Sequence, residues 1–253
     1  MPSDDDLGSV SRLALPLPDA VVRYAAHDDG LIDVHLPATG RAGPLVVLLH
    51  GGFWKAAYDR RHTRAAAAAL AAEGFVVATP EYRRVGGGGG WPTTAEDVDE
   101  AVGSLPRLLE GLGVRATGMT VAGHSAGGHL ALWLANQEHR LDRVVGLAPV
   151  GDLRAAARQG LGGGATPALL GGTPEERPAA YDAADPLTRL ATRPACEVVV
   201  LHGSADEAVP VASSRSLVEA RPFVDLRVLE DADHFDLVNP TSLAWPAVVD
   251  ALR

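Results

Sequence analysis

The 253-residue chain is 47% hydrophobic and 21% charged, ordinary proportions for a folded globular protein that exclude a disordered or collagen-like chain. Its formal net charge of −10, with no stripe of basic residues, argues against a nucleic-acid partner, because phosphate binding draws its affinity from clustered Lys and Arg. The single cysteine, Cys196, has no partner for an internal disulfide; with an acidic N-terminus and no apolar run long enough for a bilayer, the chain reads as cytoplasmic, without a membrane partner.

In chain order, residues 1–19 form a loose, proline-bearing start. Ala20 to Ala25 and Leu31 to Leu36 then alternate apolar and polar residues around the turn HDDG, the pattern of an antiparallel hairpin that can face water. The next runs are nearly continuous in Val and Leu: Leu45 to Leu49, Phe75 to Thr79, Met119 to Ala122, Arg143 to Ala148 and Glu197 to His202. Such runs fit strands buried on both faces of a parallel sheet, and Asp225 to Glu230 supplies a final strand.

Helix-like segments separate them, at Arg61 to Glu73, Ala95 to Leu112, Gly127 to Asn136, Ala212 to Ala220 and Ser242 to Leu252. The alternation predicts crossover units and one α/β domain over residues 1–253, with helices on both faces of the sheet. Two stretches break the rhythm. VGGGGGW, Val85 to Trp91, lacks the G-K-[ST] ending of a phosphate loop and reads as a flexible surface loop, and residues 154–190 read as a small cap-like insertion.

Chemistry enters with VAGHSAGGHLALW, which sets Ser125 between Gly123 and Gly127 where a strand gives way to a helix. This is the G-x-S-x-G setting in which a strained turn points a serine hydroxyl out of the sheet, above a helix N-terminus. A serine is a weak nucleophile and needs a histidine base oriented by a carboxylate. Asp206 in LHGSADEAVP and His234 in LEDADHFDLVNP follow in the order Ser, Asp, His, each at the C-terminal end of a predicted strand. Glu207 is the local rival for the acid, and Asp231, Asp233 and Asp236 read as solvated loop charges. Upstream, LLHGGFW resembles an oxyanion loop, whose donors would be the N–H groups of Gly52, Phe53 and Ala126, with His50 bracing the loop.

Taken together, HGGFW, GHSAGGHLALW, HGSADEAVP and DADHF resemble the α/β-hydrolase superfamily over nearly the whole chain. Within it they resemble the branch holding kynurenine formamidases, bacterial feruloyl-esterase-like proteins and acetyl esterases of the hormone-sensitive-lipase type. The resemblance implies an eight-stranded, mostly parallel sheet with a minimal cap, and a pocket walled by Phe53, Trp54, His124, Trp91 and the region of Asp152. It implies a serine hydrolase acting on a small ester, with an aryl formamide as the alternative substrate. Kynurenine formamidases usually carry HGGYW and GHSAGAHL, from which this chain departs at Phe53 and Gly128. An acyltransferase or a non-catalytic binder on the same scaffold are weaker readings. No cofactor and no metal is expected, since HExxH is absent and His124 and His129 have no carboxylate near them in sequence.

Overall fold

The computed structural model describes Val10 and residues 12–253. Residues 1–9 and 11, half of the loose N-terminal start, lie outside the described residues. The apolar runs form β1 (Ala20–Arg23), β2 (Leu31–His35), β3 (Ala42–Leu49), β4 (Val76–Pro80), β5 (Arg115–His124), β6 (Arg143–Leu147), β7 (Glu197–Gly203) and β8 (Asp225–Leu229). They make one eight-stranded sheet in the order β1-β2-β4-β3-β5-β6-β7-β8. β2 runs antiparallel to β1 and β4, and every other pairing is parallel. This is the α/β-hydrolase architecture that the sequence patterns imply.

Helices α1 (Arg64–Ala72), α2 (Thr93–Gly111), α3 (Ala126–Leu134), α8 (Ala212–Ala220) and α9 (Trp245–Leu252) cover the sheet. Between β6 and β7 lie four further helices, α4 (Leu153–Arg158), α5 (Leu161–Leu170), α6 (Pro178–Ala184) and α7 (Pro186–Arg189), in the region read as a cap. Alternate residues of β3 enter opposite layers: Leu45, Val47 and Leu49 pack with α2 and α3, while Val46 and Leu48 pack with α1 and α9. A strand buried on both faces has no polar positions to alternate, hence the continuous runs. Among the described residues no helix is long and apolar enough to cross a membrane.

The water-facing hairpin needs correction. β2 is an interior strand, and its polar residues Asp33 and His35 are buried. Asp33 is fully enclosed and accepts from Arg60 Nε at 2.9 Å and Arg64 Nε at 2.8 Å. Period-two alternation shows which residues share a face but not what covers it; here α1 and the turn before it supply cations to that face. β5 also starts earlier than its apolar core. Gly118, at φ 68°, makes a bulge opposite Pro44 and Leu45, and the exposed Arg115–Gly118 end carries no apolar signal.

The glycine stretch is at the surface but folds into a hydrogen-bonded turn. Gly87 and Gly89 N–H donate to Arg84 O at 2.8 and 2.9 Å, and Trp91 N–H donates to Leu169 O of the cap at 2.8 Å. A Cβ on Gly89 would overlap the Arg83 carbonyl, so the composition reflects close approach of backbone to backbone. Replacing Asp33 by Ala should leave the Arg64 guanidinium without its carboxylate in a largely buried site. Urea unfolding should show a loss of about 3 kcal/mol or more.

Candidate active site

β5 ends at His124 and α3 begins at Ala126, leaving Ser125 alone to turn the chain. Its φ of 56° and ψ of −116° lie where a residue with a side chain is strained, at a cost on the order of 1–3 kcal/mol. The surroundings enforce it. Ser125 N–H donates to Leu147 O of β6 at 2.8 Å, and Ser125 O accepts from His129 N–H at 3.1 Å. A Cβ on Gly123 would overlap the Gly127 carbonyl, and one on Gly127 would overlap the carbonyls of Leu49 and His50. Strand and helix can approach this closely only with glycine at both places.

His234 lies in the loop after β8, beside the end of β7. Its Nδ1 donates to Asp206 Oδ2 at 2.6 Å, and Asp206 Oδ1 accepts from Ala208 N–H and Val209 N–H at 2.9 and 2.8 Å. Burial alone would raise the Asp206 pKa. Hydrogen bonds from His202, His234 and Val209 outweigh that, holding the carboxyl well below the usual carboxylate range. Glu207, the rival acid, points to solvent. Asp233 and Asp236 are more than solvated charges: Asp233 Oδ1 accepts from Phe235 N–H and Asp236 N–H, and Asp236 Oδ2 accepts from Asp233 N–H, fixing the loop around His234. Among the described residues the Ser125 hydroxyl and His234 Nε2 make no hydrogen bond, so both are uncommitted. Ser125 is 2% exposed and His234 6%, which leaves a narrow approach to them.

The loop after β3 presents backbone donors to the same edge. Gly52, Phe53 and Trp54 take φ of 103°, 51° and 56° in succession, and a Cβ on Gly52 would overlap the Tyr58 side chain. The N–H groups of Gly52 and Phe53 have no backbone acceptor among the described residues, and Ala126 N–H, at the start of α3, has no intrahelical one. His50 braces the loop as expected. It is stacked on Tyr82 at 4.2 Å, with Nε2 2.7 Å from Glu81 Oε1 and Nδ1 2.8 Å from Gly51 O, while Tyr82 Oη donates to His50 O at 2.7 Å. Burial pushes the Glu81 pKa up, but His50, Arg84 and the Arg60 N–H bring it down to about 2. Phe53 reaches the cap, where a Cβ on Gly162 would overlap its ring and Lys55 Nζ donates to Gly162 O at 2.8 Å.

Besides Phe53, three of the expected pocket walls have other contacts, and Trp91 packs beside the cap. Trp54 is 1% exposed and packs edge-on against His129, so it belongs to the interior. His124 is a neighbour of His234: its ring lies 4.5 Å from that of His234 and its Nε2 donates to His234 O at 2.8 Å. Burial, reinforced by His234, puts its pKa well below the usual histidine range. Asp152 caps α4 by accepting from Ala155 N–H, and Trp91 packs edge-on against Trp133. A large aromatic or a charge beside a motif reads in sequence as a wall; whether it faces the cleft depends on packing against distant segments. A cleft of about 750 Å³, lined by Leu45, Pro106, Leu109 and Met119, lies near the N-terminal ends of β3 and β5, opposite the Ser125 edge.

Two predictions follow from these contacts. Glu81 is depressed from 4.5 to about 2 in the fold, so it contributes up to about 3 kcal/mol of stability above pH 4.5, lost as pH falls toward 2. Glu81→Gln should therefore be less stable at pH 6 and lose less between pH 6 and pH 3, as urea midpoints at both pH values would show. A Cβ on Gly128 would stand 2.8 Å from Pro149 Cβ and 2.9 Å from Gly123 O. Gly128→Ala should cost about 1–3 kcal/mol in thermal unfolding, because neither neighbour can withdraw freely.

A match to the BD-FAE family spans residues 32–220. The chain is 28% identical to esterase LipC of Mycobacterium tuberculosis over 222 residues, which cover 79% of this chain and 55% of that protein. It thus spans about half the length of that curated relative. Among solved structures, a putative thioesterase from a Silicibacter species superposes with a TM-score of 0.75 at 23% identity, covering 93% of this chain and 86% of the other. Esterase B from Lactobacillus rhamnosis, in a structure with a tributyrin phosphonate, gives a TM-score of 0.75 at 18% identity, covering 94% and 84%. These structural likenesses establish the fold, and the family match, extending from β2 through α8 and including the Ser125 turn, the loop after β3 and Asp206, makes this chain a member of the BD-FAE family.

Proposed function

We propose that the protein is a carboxylic ester hydrolase in which Ser125 attacks the carbonyl, His234 takes its proton, and Asp206 orients and supports the imidazole. The observation that carries this reading is that one sheet edge holds both an uncommitted hydroxyl on a strained turn and an imidazole pinned at 2.6 Å by a buried carboxylate. The carbonyl oxygen becomes an anion in the tetrahedral intermediate, which the N–H groups of Gly52, Phe53 and Ala126 and the α3 N-terminus would stabilise. The protonated His234 then gives its proton to the leaving alcohol, and water, activated by the same imidazole, cleaves the acyl-enzyme.

The name esterase belongs to LipC and to the Lactobacillus protein, and it supports an ester as the substrate class here. The narrow approach to Ser125 supports a small acyl group. The aryl-formamide alternative is not favoured, since the relatives bear esterase names and the formamidase pattern's alanine is replaced by Gly128, packed on Pro149.

A fluorophosphonate should label the wild type at Ser125 and leave Ser125→Ala unlabelled, with ester hydrolysis falling at least about a thousandfold. Comparing p-nitrophenyl acetate, butyrate and octanoate should show the shortest chains turned over best, with N-formylkynurenine a poor substrate. A folded wild type that neither labels nor hydrolyses any of the esters would sink the hydrolase reading.

A further inference from the structure

Behind Asp206 lies a second histidine that the motif does not include. We propose that His202 is a positioning residue for the catalytic pair, donating from Nε2 to the same Asp206 oxygen that receives the His234 Nδ1–H. The inference rests on the reading of Asp206 and His234 as orienting acid and base.

His202 ends the apolar run of β7 and is fully buried. Its Nε2 lies 2.8 Å from Val209 O and 3.3 Å from Asp206 Oδ2, and its Nδ1 lies 2.7 Å from Ser214 Oγ. A carbonyl oxygen can only accept, so Nε2 carries the proton, shared between Val209 O and Asp206 Oδ2. Nδ1 is then free to accept the Ser214 hydroxyl proton. Ser214 is fully buried on α8 and anchors the ring from the Nδ1 side, its hydroxyl following the tautomer that the Val209 carbonyl sets. The loop closes on itself, because Val209 gives its N–H to Asp206 and its carbonyl to His202. Asp206 thus has both oxygens occupied, Oδ1 by two backbone N–H groups and Oδ2 by His202 and His234. A carboxylate so held cannot rotate away from His234.

The second donor also draws off charge that would otherwise stabilise a protonated His234. Other titratable groups near this cluster are His124 and His62, with Asp233 and Asp236 in the loop of His234 and Glu207 exposed beside Asp206. Burial lowers the pKa of both histidines, His62 to about 4.

The test compares His202→Leu, His202→Gln and Ser214→Ala, each checked for folding by circular dichroism. The leucine variant should lower kcat about tenfold with little change in KM, and should move the acid limb of kcat/KM up by about half to one pH unit. Glutamine keeps an N–H donor at a similar reach and should restore most of both, while Ser214→Ala, which removes the anchor on Nδ1 and leaves the ring less firmly held, should fall between. A folded leucine variant with wild-type kcat and acid limb overturns the proposal, as does a glutamine variant as impaired as leucine, which would reveal packing alone. The proton resonance of His234 Nδ1–H gives a reading without substrate: it should move in His202→Leu and stay in His202→Gln. A wild type without hydrolysis would sink the esterase reading, while this resonance would still decide the His202 contact.

Discussion

Ser125 stands at φ 56° because the close approach of β5, α3 and the end of β3 leaves little room for any other path. Gly123 lies against the Gly127 carbonyl, Gly127 against the carbonyls of Leu49 and His50, and Gly128 against Pro149. The strain of one residue is spread over a junction that the parallel sheet holds from both sides, since Ser125 N–H is tied to β6 through Leu147. A serine on a regular strand or helix would have its hydroxyl turned along the surface; here the turn lifts it from the sheet edge, at the N-terminus of a fully buried helix.

Around that junction two buried carboxylates use the same chemistry for different ends. Glu81 holds His50, and His50 and Tyr82 hold the loop that offers Gly52 and Phe53 N–H. Asp206 holds His234, and its own position depends on backbone N–H groups and on His202. In each case desolvation opposes the charge and hydrogen bonds more than offset it. Each carboxylate fixes an imidazole, and the imidazoles give the site its rigidity. His124 adds a third ring, its pKa pushed well below the usual histidine range by burial, that lies tilted against His234 and ties down its carbonyl.

Much of this was legible in the chain. The continuous Val and Leu runs predicted the parallel strands, because a strand enclosed by helices on both sides has no wet face. The glycines around Ser125 and after His50 marked places of close backbone approach. Less legible were residues whose role depends on what lies across the sheet. Asp33 and His35 alternate as though facing water, yet both are buried, and Asp33 pairs with arginines from the α1 region. His202 looked like the polar end of an apolar run, although a polar residue ending an otherwise buried strand beside the acid loop was a usable signal.

The sequence by itself determined the element order, the strained turn at Ser125 and the order of Ser125, Asp206 and His234 along the chain, because these follow from local periodicity, glycine placement and spacing along one strand edge. Tertiary structure decided which groups became buried partners. Trp54 joined the interior, Asp233 and Asp236 clasped the base loop, and the glycine stretch closed into a turn against the cap. The physical reason is that periodicity encodes which side of an element is apolar, whereas hydrogen bonding and burial of a polar group depend on residues tens of positions away that only the folded sheet brings together.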